Sequence, residues 1–334
     1  MALAVCGALV GCSGSSAPKA SSPTAYPVTL TNCGGGPVTF NQAPTRVLAT
    51  APNLTEDLLA LGLAKDMIGD FGGKLPVSAA YADQYHRIRT LPTTAFTPEQ
   101  LVGLRPDFVF AGWGYGFTTG TLLTPQSVAK VGIKSLVLTG SCPNTGSGKA
   151  NSNTPPSNDI TSTYQDLSNL GAIFNVRQQA SIVIAQMQAE VAAVQAKVAP
   201  LKPVSVFLYN NGQSAPGTAA GLSTPNGLIA LAGGSNIFAK LQQDYTTVSW
   251  EQVVAADPQC IIIKNGTDAG NFGAAEEQFL KSSAITDTLT AVKNGCFLTL
   301  NQDQLTPGAA NADAVVAIAH WLHPSAFGLP ANGS

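Results

Sequence analysis

Charge is what this sequence has least of: Asp, Glu, Lys and Arg make up 11% of its 334 residues, against about a quarter in ordinary soluble proteins. There is no cluster of Lys or Arg, and the formal net charge is −2, which excludes the concentrated basic face that nucleic-acid phosphates require. No apolar run approaches the roughly 20 residues of a membrane-spanning helix, unless the first residues are read as part of a longer signal. No C-x-x-C spacing offers a zinc site, and no G-x-S-x-G elbow follows a strand-like run. Gly34-Gly35-Gly36 and Gly233-Gly234 lack the spacing of phosphate-binding loops. The histidines, His86, His320 and His323, are too few to converge on zinc or manganese. These absences argue against an enzyme and against a resident metal or cofactor. With so little charge, Ser, Thr, Asn, Gln and Gly must cover the surface, which suits an exported protein, and 45% hydrophobic residues suffice for large cores.

The N-terminus carries the same message. Met1 to Gly11 is a short apolar stretch, and Leu9-Val10-Gly11-Cys12 resembles a bacterial lipobox, in which the cysteine is acylated. A Ser/Ala/Pro tether that cannot collapse follows from Ser13. No Lys or Arg precedes the apolar stretch, a departure from an ordinary signal. Cys12 is therefore expected to carry a lipid (palmitate among its acyl chains) that anchors without spanning. Cys6 would leave with the signal, so Cys33, Cys142, Cys260 and Cys296 remain, an even number in an oxidising compartment. Three pairings are open. Cys260 and Cys296 each start an apolar run, and parallel neighbouring strands would bring them close, which favours Cys33–Cys142 and Cys260–Cys296.

Short apolar runs alternate with helix-like stretches, the pattern of a parallel sheet covered on both faces. Strands are predicted at Arg46–Thr50, Asp66–Gly69, Phe108–Ala111 and Ser135–Leu138, then at Val204–Tyr209, Ile261–Ile263 and Phe297–Leu300. Between the two sets, Met187, Val191, Val194 and Val198 recur at helix spacing, predicting one long helix from Val176 to Val198. The expected division is a signal and lipobox over 1–12, a tether over 13–26, an N-terminal lobe over 27–174, a linking helix over 175–200 and a C-terminal lobe over 201–334. A repeat supports it. Thr97 to Phe110 matches Ser249 to Ile262 in character: an N-cap hydroxyl, a Gln three residues on, a short helix, a proline turn and a buried strand.

Several segments together resemble bacterial ABC-importer substrate-binding lipoproteins of the iron-siderophore, haem and vitamin B12 class. They are Pro44-Thr45-Arg46-Val47-Leu48, Glu56-x-Leu-Leu-Ala-Leu-Gly62-Leu63, Pro98-Glu99-x-Leu-x-x-Leu-x-Pro106-Asp107, Ala232 to Phe238, Val248-Ser249-Trp250-Glu251 and the closing His320-Trp321-Leu322-His323-Pro324. The resemblance implies an α/β fold of the class III periplasmic binding protein type: two Rossmann-like lobes with mainly parallel sheets, joined by one long rigid helix and moving little on binding. It further implies a monomeric, lipid-anchored receptor on the extracytoplasmic face, delivering a small iron chelate to an importer permease. A ferric siderophore is the first candidate, haem or cobalamin the alternative, and a non-transporting structural or signalling lipoprotein a third. In such proteins one glutamate per lobe docks on permease arginines; Glu99 and Glu251 occupy those positions here.

Ligand contacts are expected at the carboxyl ends of strands. Trp113 and Tyr115, in the glycine-rich stretch after Phe108–Ala111, offer flat apolar surface with polar tips. Tyr209 and Asn210 end the first strand of the second lobe. Phe71 and Lys74 follow the second strand, Tyr245 and Trp250 lie near the second capping box, and Lys264 ends the Ile-rich strand, where a cation would suit an anionic ferric complex. Arg87, with Arg89, could meet a ligand carboxylate.

Overall fold

The apolar runs form the strands of two parallel sheets, one before and one after the long helix. The computed structural model describes residues 25–71, 76–91, 97–118, 123–144, 160–266 and 272–330; Cys6, Cys12, Lys74 and nearly all of the expected tether lie outside them. The first lobe opens with a hairpin, β1 (Val28–Asn32) and β2 (Gly36–Phe40). Its sheet comprises β3 (Val47–Ala49), β4 (Met67–Asp70), β5 (Phe108–Trp113), the two-residue β6 (Gly116–Phe117) and β7 (Lys134–Val137). The parallel order is β4-β3-β5-β7, with β6 beside the end of β5. The second lobe has β8 (Val204–Tyr209), β9 (Gly217–Ala219), β10 (Gly234–Asn236), β11 (Tyr245–Thr247), β12 (Cys260–Asn265) and β13 (Phe297–Asn301). Here β10-β8-β12-β13 are parallel, and β9 pairs antiparallel with β11 as a separate ribbon.

The linking helix is Arg177–Val198, 22 residues, about 33 Å at 1.5 Å per residue. Its buried face, Ala180, Val183, Met187, Val191, Val194 and Val198, joins one continuous core with Phe108 and Phe110 of the first lobe and Val206, Leu208 and Ile318 of the second. Each lobe has a further core on the opposite face of its sheet. Strand alternation decides which residue goes where. In β5, Phe108 and Phe110 face the shared core, while Val109, Ala111 and Trp113 face the outer one. In β8, Val206 and Leu208 face the shared core, while Phe207 and Tyr209 face outward onto Trp250 and Val253.

The sequence repeat is a structural repeat. Helices Pro98–Leu104 and Trp250–Ala256 both start in capping boxes, Thr97 with Gln100 and Ser249 with Gln252, and both end at a left-handed residue, Arg105 or Asp257. Two residues on, the side chain of each copy clamps the neighbouring strand. Asp107 accepts from the Thr45 and Arg46 amides at 2.8 and 2.9 Å, and Gln259 Oε1 accepts from the Ser205 amide at 3.0 Å. The favoured disulfide pairing is the one formed: Cys33–Cys142 and Cys260–Cys296, with Cα atoms 5.7 and 4.8 Å apart.

Helix Pro52–Ala60 of the first lobe and residues 303–313 of the second add a direct junction beside the linking helix. Asn53 Nδ2 donates to the Pro307 carbonyl at 2.7 Å, and the Ala309 amide donates to Asp57 Oδ1 at 2.7 Å.

Candidate functional site

The two lobes face each other across the carboxyl ends of their strands. On the first lobe β5 turns sharply through Gly114 (φ +79°), with mutual hydrogen bonds between the Gly112 and Tyr115 backbones at 3.0 and 2.8 Å. Gly116 then passes so close to Thr50 that a Cβ there would lie 2.6 Å from it. The turn presents Tyr115 to the second lobe. Opposite stand Asp244 and Tyr245, the latter starting β11, and Lys264 near the end of β12 places Nζ 5.3 Å from the centre of the Tyr245 ring. Tyr115, Asp244 and Tyr245 line a narrow gap with Gly140, Leu305 and Pro307; its enclosed space is only about 10 Å³, about room for one water molecule and far below the roughly 300–1,000 Å³ of ordinary small-molecule pockets.

Burial dominates the electrostatics here. It pushes both phenols up, with Asp244 adding to the shift at Tyr115 and Tyr115 at Tyr245. It lowers Lys264, while the Asp244 carboxylate pulls it back up. The site offers two protonated phenols, one cation and one anion, an array that hydrogen-bonds a ligand and carries little net charge.

Four aromatic residues expected in the cleft, Trp113, Tyr209, Trp250 and Phe71, are elsewhere. Trp113 is not in a loop: β5 runs two residues further than its apolar run indicates, and the strand period turns the indole into the outer core, where Nε1 donates to the Cys33 carbonyl at 3.4 Å. Gly112 is needed within the strand because a Cβ would lie 2.8 Å from Leu138 and Ser141. Tyr209 is turned away by the same alternation; it is fully buried and donates to Glu276 Oε2 at 2.7 Å. Trp250 roofs that outer core against Phe207, Tyr209 and Phe279, its Nε1 donating to the Gln213 carbonyl at 2.7 Å. Phe71 is likewise a core residue of the first lobe. Asn210 is half-buried and its amide closes the turn to the Gly217 carbonyl at 2.9 Å. Arg87 and Arg89 are exposed beyond the end of β4. Of the residues proposed for ligand contact, the structure brings together Tyr115, Tyr245 and Lys264.

Glu99 and Glu251 are exposed at the second position of their helices. Hydrogen bonds hold both carboxyls below the usual range, chiefly from its own amide and then Thr97 for Glu99, and from Ser249 and then its own amide for Glu251. The histidines act structurally: His323 Nε2 bonds the Gly233 carbonyl at 2.9 Å and His320 packs on Phe327. Among the described residues no group of three His, Cys, Asp or Glu side chains has a metal-holding arrangement, and no helix is long and apolar enough to cross a membrane.

A cluster of buried acids at the lobe junction escaped the sequence reading. Glu56 takes the Ser78 amide at 2.9 Å, and burial, then the charge of Asp303, pushes its carboxyl up to about 10. Burial raises Asp57 well above its ordinary value, with Asp166 adding to the shift. Asp303 and Asp313 are also raised by burial, and Asp166 reaches about 7 despite hydrogen bonds from Thr139. Tyr81 and Tyr85 shift upward beside them. Among the described residues no Lys or Arg forms an ion pair with any of these carboxyls. The available signal was Thr55-Glu56-Asp57 inside a leucine-rich helix whose every residue but the last is buried.

Comparison with known proteins places this geometry in context. Residues 47–304 match the family model described as periplasmic binding protein. The vitamin B12-binding protein of Photorhabdus laumondii is 27% identical over 233 residues, covering 68% of this chain and 73% of that one. A periplasmic binding protein from Veillonella parvula superposes with a TM-score of 0.75 at 25% identity, over 89% of this chain and 97% of that one. The ABC-type Fe3+-hydroxamate transport system structure from Saccharomonospora viridis gives 0.74 at 22% identity, over 89% and 99%.

Proposed function

Because the chain belongs to the periplasmic binding protein family, whose members are extracytoplasmic solute receptors of ABC importers rather than enzymes, we propose that its cargo is a ferric siderophore held between the lobes. The observation that carries this is the confrontation of Tyr115 with Asp244 and Tyr245, whose ring lies beneath the Lys264 ammonium. Phenols supply flat apolar surface and hydrogen-bond donors. The Lys264 charge sits next to the Asp244 carboxylate that opposes it, so a ferric complex of low net charge is accommodated without an unpaired buried charge. A bulky chelate exceeds the cavity as it stands, so it lodges at the mouth or parts the walls on entry.

Cobalamin is the second reading, favoured by the vitamin B12-binding relative at 27% identity. In either case the receptor works as a monomer tethered through acylated Cys12, and Glu99 and Glu251 meet arginines of the permease.

Titration of the purified protein, followed by tryptophan emission and calorimetry, tests the cargo. The ligands are a ferric hydroxamate, a ferric catecholate, a ferric carboxylate siderophore, haem and cobalamin. Submicromolar binding of a ferric siderophore is expected. Preference for cobalamin or haem would replace the cargo; binding of none would leave a structural or signalling lipoprotein.

A further inference from the structure

Two carboxyls from opposite lobes meet at the junction without a cation between them. Glu56 belongs to helix Pro52–Ala60 of the first lobe and Asp303 to the short helix Gln302–Leu305 of the second. Both are buried, at 0% and 2% exposure, and each lies within reach of the other. The Ser78 amide satisfies Glu56 Oε1 at 2.9 Å, but among the described residues no donor satisfies Glu56 Oε2 or either oxygen of Asp303. Among them, too, no Lys or Arg comes within 4 Å of either carboxyl. The titratable groups around the pair are Asp57, Asp70, Tyr81, Tyr85, Asp166, Glu190 and Asp313; they come from both lobes and the linking helix, and all are acids. Two buried carboxylates in contact repel, whereas a carboxyl and a carboxylate that share a proton attract, and the shared proton is the missing donor.

The pair is continuous with the gap between the lobes. Leu305, which ends the Asp303 helix, and Pro307 form one wall of the gap that Tyr115 and Tyr245 close. Asn53, three residues before Glu56, donates to the Pro307 carbonyl, and Asp57, one residue after it, accepts from the Ala309 amide. The gap has room for about one water, so nothing larger enters until its walls move, and one of those walls carries Asp303.

We propose that Glu56 and Asp303 share one proton and so latch the lobes: the proton holds the junction shut, and opening the junction hydrates both carboxyls and releases it. In that step the carboxylic O–H breaks and the proton passes to water or a buffer base. Opening therefore becomes easier as pH rises, by about tenfold in the equilibrium per pH unit for the one proton released. Lobe movement in the receptor is thereby linked to protons through residues outside the lining of the gap; only that use of the latch rests on the receptor reading above.

Amide hydrogen exchange of the full-length protein, followed by NMR without ligand between about pH 5.5 and 8, tests the latch. The Ala309 amide exchanges only when its bond across the junction to Asp57 opens. The Ile261 amide, bonded to the Cys296 carbonyl at 2.9 Å inside the second lobe, reports unfolding of that lobe. Ala309 is expected to exchange faster than Ile261, and its protection relative to a free peptide should fall about tenfold more per pH unit in wild type than in Glu56→Gln. Asp303→Asn, whose amide replaces the shared proton as donor, should flatten the dependence in the same way and serves if Glu56→Gln does not fold. Equal slopes in wild type and variant, or an Ala309 amide as protected as Ile261, would overturn the latch and leave the receptor reading standing. No ligand enters the measurement, so a protein that binds no cargo would lose the receptor reading and keep the latch.

Discussion

The Ala309 amide of the second lobe donates to Asp57 Oδ1 of the first at 2.7 Å, deep in a junction where Asp57 is fully buried. The bond locks the lobes at their base, next to the Asn53 contact with Pro307. Asp57→Asn keeps an acceptor for Ala309 and removes a charge that burial disfavours, so its unfolding midpoint should equal or exceed wild type at neutral pH. Asp57→Ala strands a buried amide and should cost about 1–3 kcal/mol. Paired denaturant titrations check both; equal losses would show that the acceptor is not what matters.

Glu56 gives the junction a pH dependence. Its folded carboxyl titrates near 10, against about 4.3 in an unfolded chain, so the folded state binds the extra proton between those values. Stability from this group is fully present below about pH 4 and is lost as pH rises toward 10. Glu56→Gln retains the acceptor for the Ser78 amide but cannot ionise. The variant should match wild type near pH 4 and exceed it at pH 8, by an amount on the order of 5 kcal/mol, about 1.4 for each pH unit above the unfolded value. Thermal melts across that range decide it; a constant offset would mean that Glu56 does not titrate as the junction demands.

The disulfides differ in what they constrain. Cys33–Cys142 spans 109 residues and Cys260–Cys296 spans 36, giving loop-closure contributions of about 5 and about 4 kcal/mol in the chain-entropy model. Replacing each pair by serines should lower the melting temperature in both cases, more for the first. Intact mass with and without reductant should show four hydrogens gained from these bonds. Free thiols at these positions in the exported protein would contradict the pairing.

Much of this architecture was legible because it rests on periodicity. The strand Val204–Tyr209, the linking helix and the repeat were each visible as spacing of apolar and capping residues. The site was less legible, for reasons that Trp113 and Tyr209 illustrate. Both stand at the carboxyl end of a strand, where ligand contacts belong, yet the twofold strand period points both into the outer cores. The sequence shows the position along the strand, but the face depends on which side each helix covers. The β9–β11 ribbon that carries Tyr245 was missed because three-residue strands leave no periodic signature. Glu56, Asp57 and Asp303 look like ordinary solvated carboxyls until the lobes are brought together around them.

That distinction between cleft and core can be measured residue by residue. Tyr115→Phe removes the hydroxyl of a residue that lines the gap between the lobes, and Lys264→Ala removes the ammonium over the Tyr245 ring, so each should weaken ligand binding about three- to tenfold, roughly 0.7–1.4 kcal/mol, with little change in melting temperature. Tyr209→Phe should do the reverse. It leaves Glu276 without its 2.7 Å donor in a buried setting, costing about 1–3 kcal/mol of stability while ligand affinity holds. Trp250→Phe, which loses the hydrogen bond to Gln213 and leaves a void among Phe207, Tyr209 and Phe279, should behave like Tyr209→Phe. Titration calorimetry and thermal melts on the four variants, with whichever ligand wild type binds, separate the two groups. Loss of affinity at Tyr209 or Trp250 without loss of stability would return those residues to the cleft.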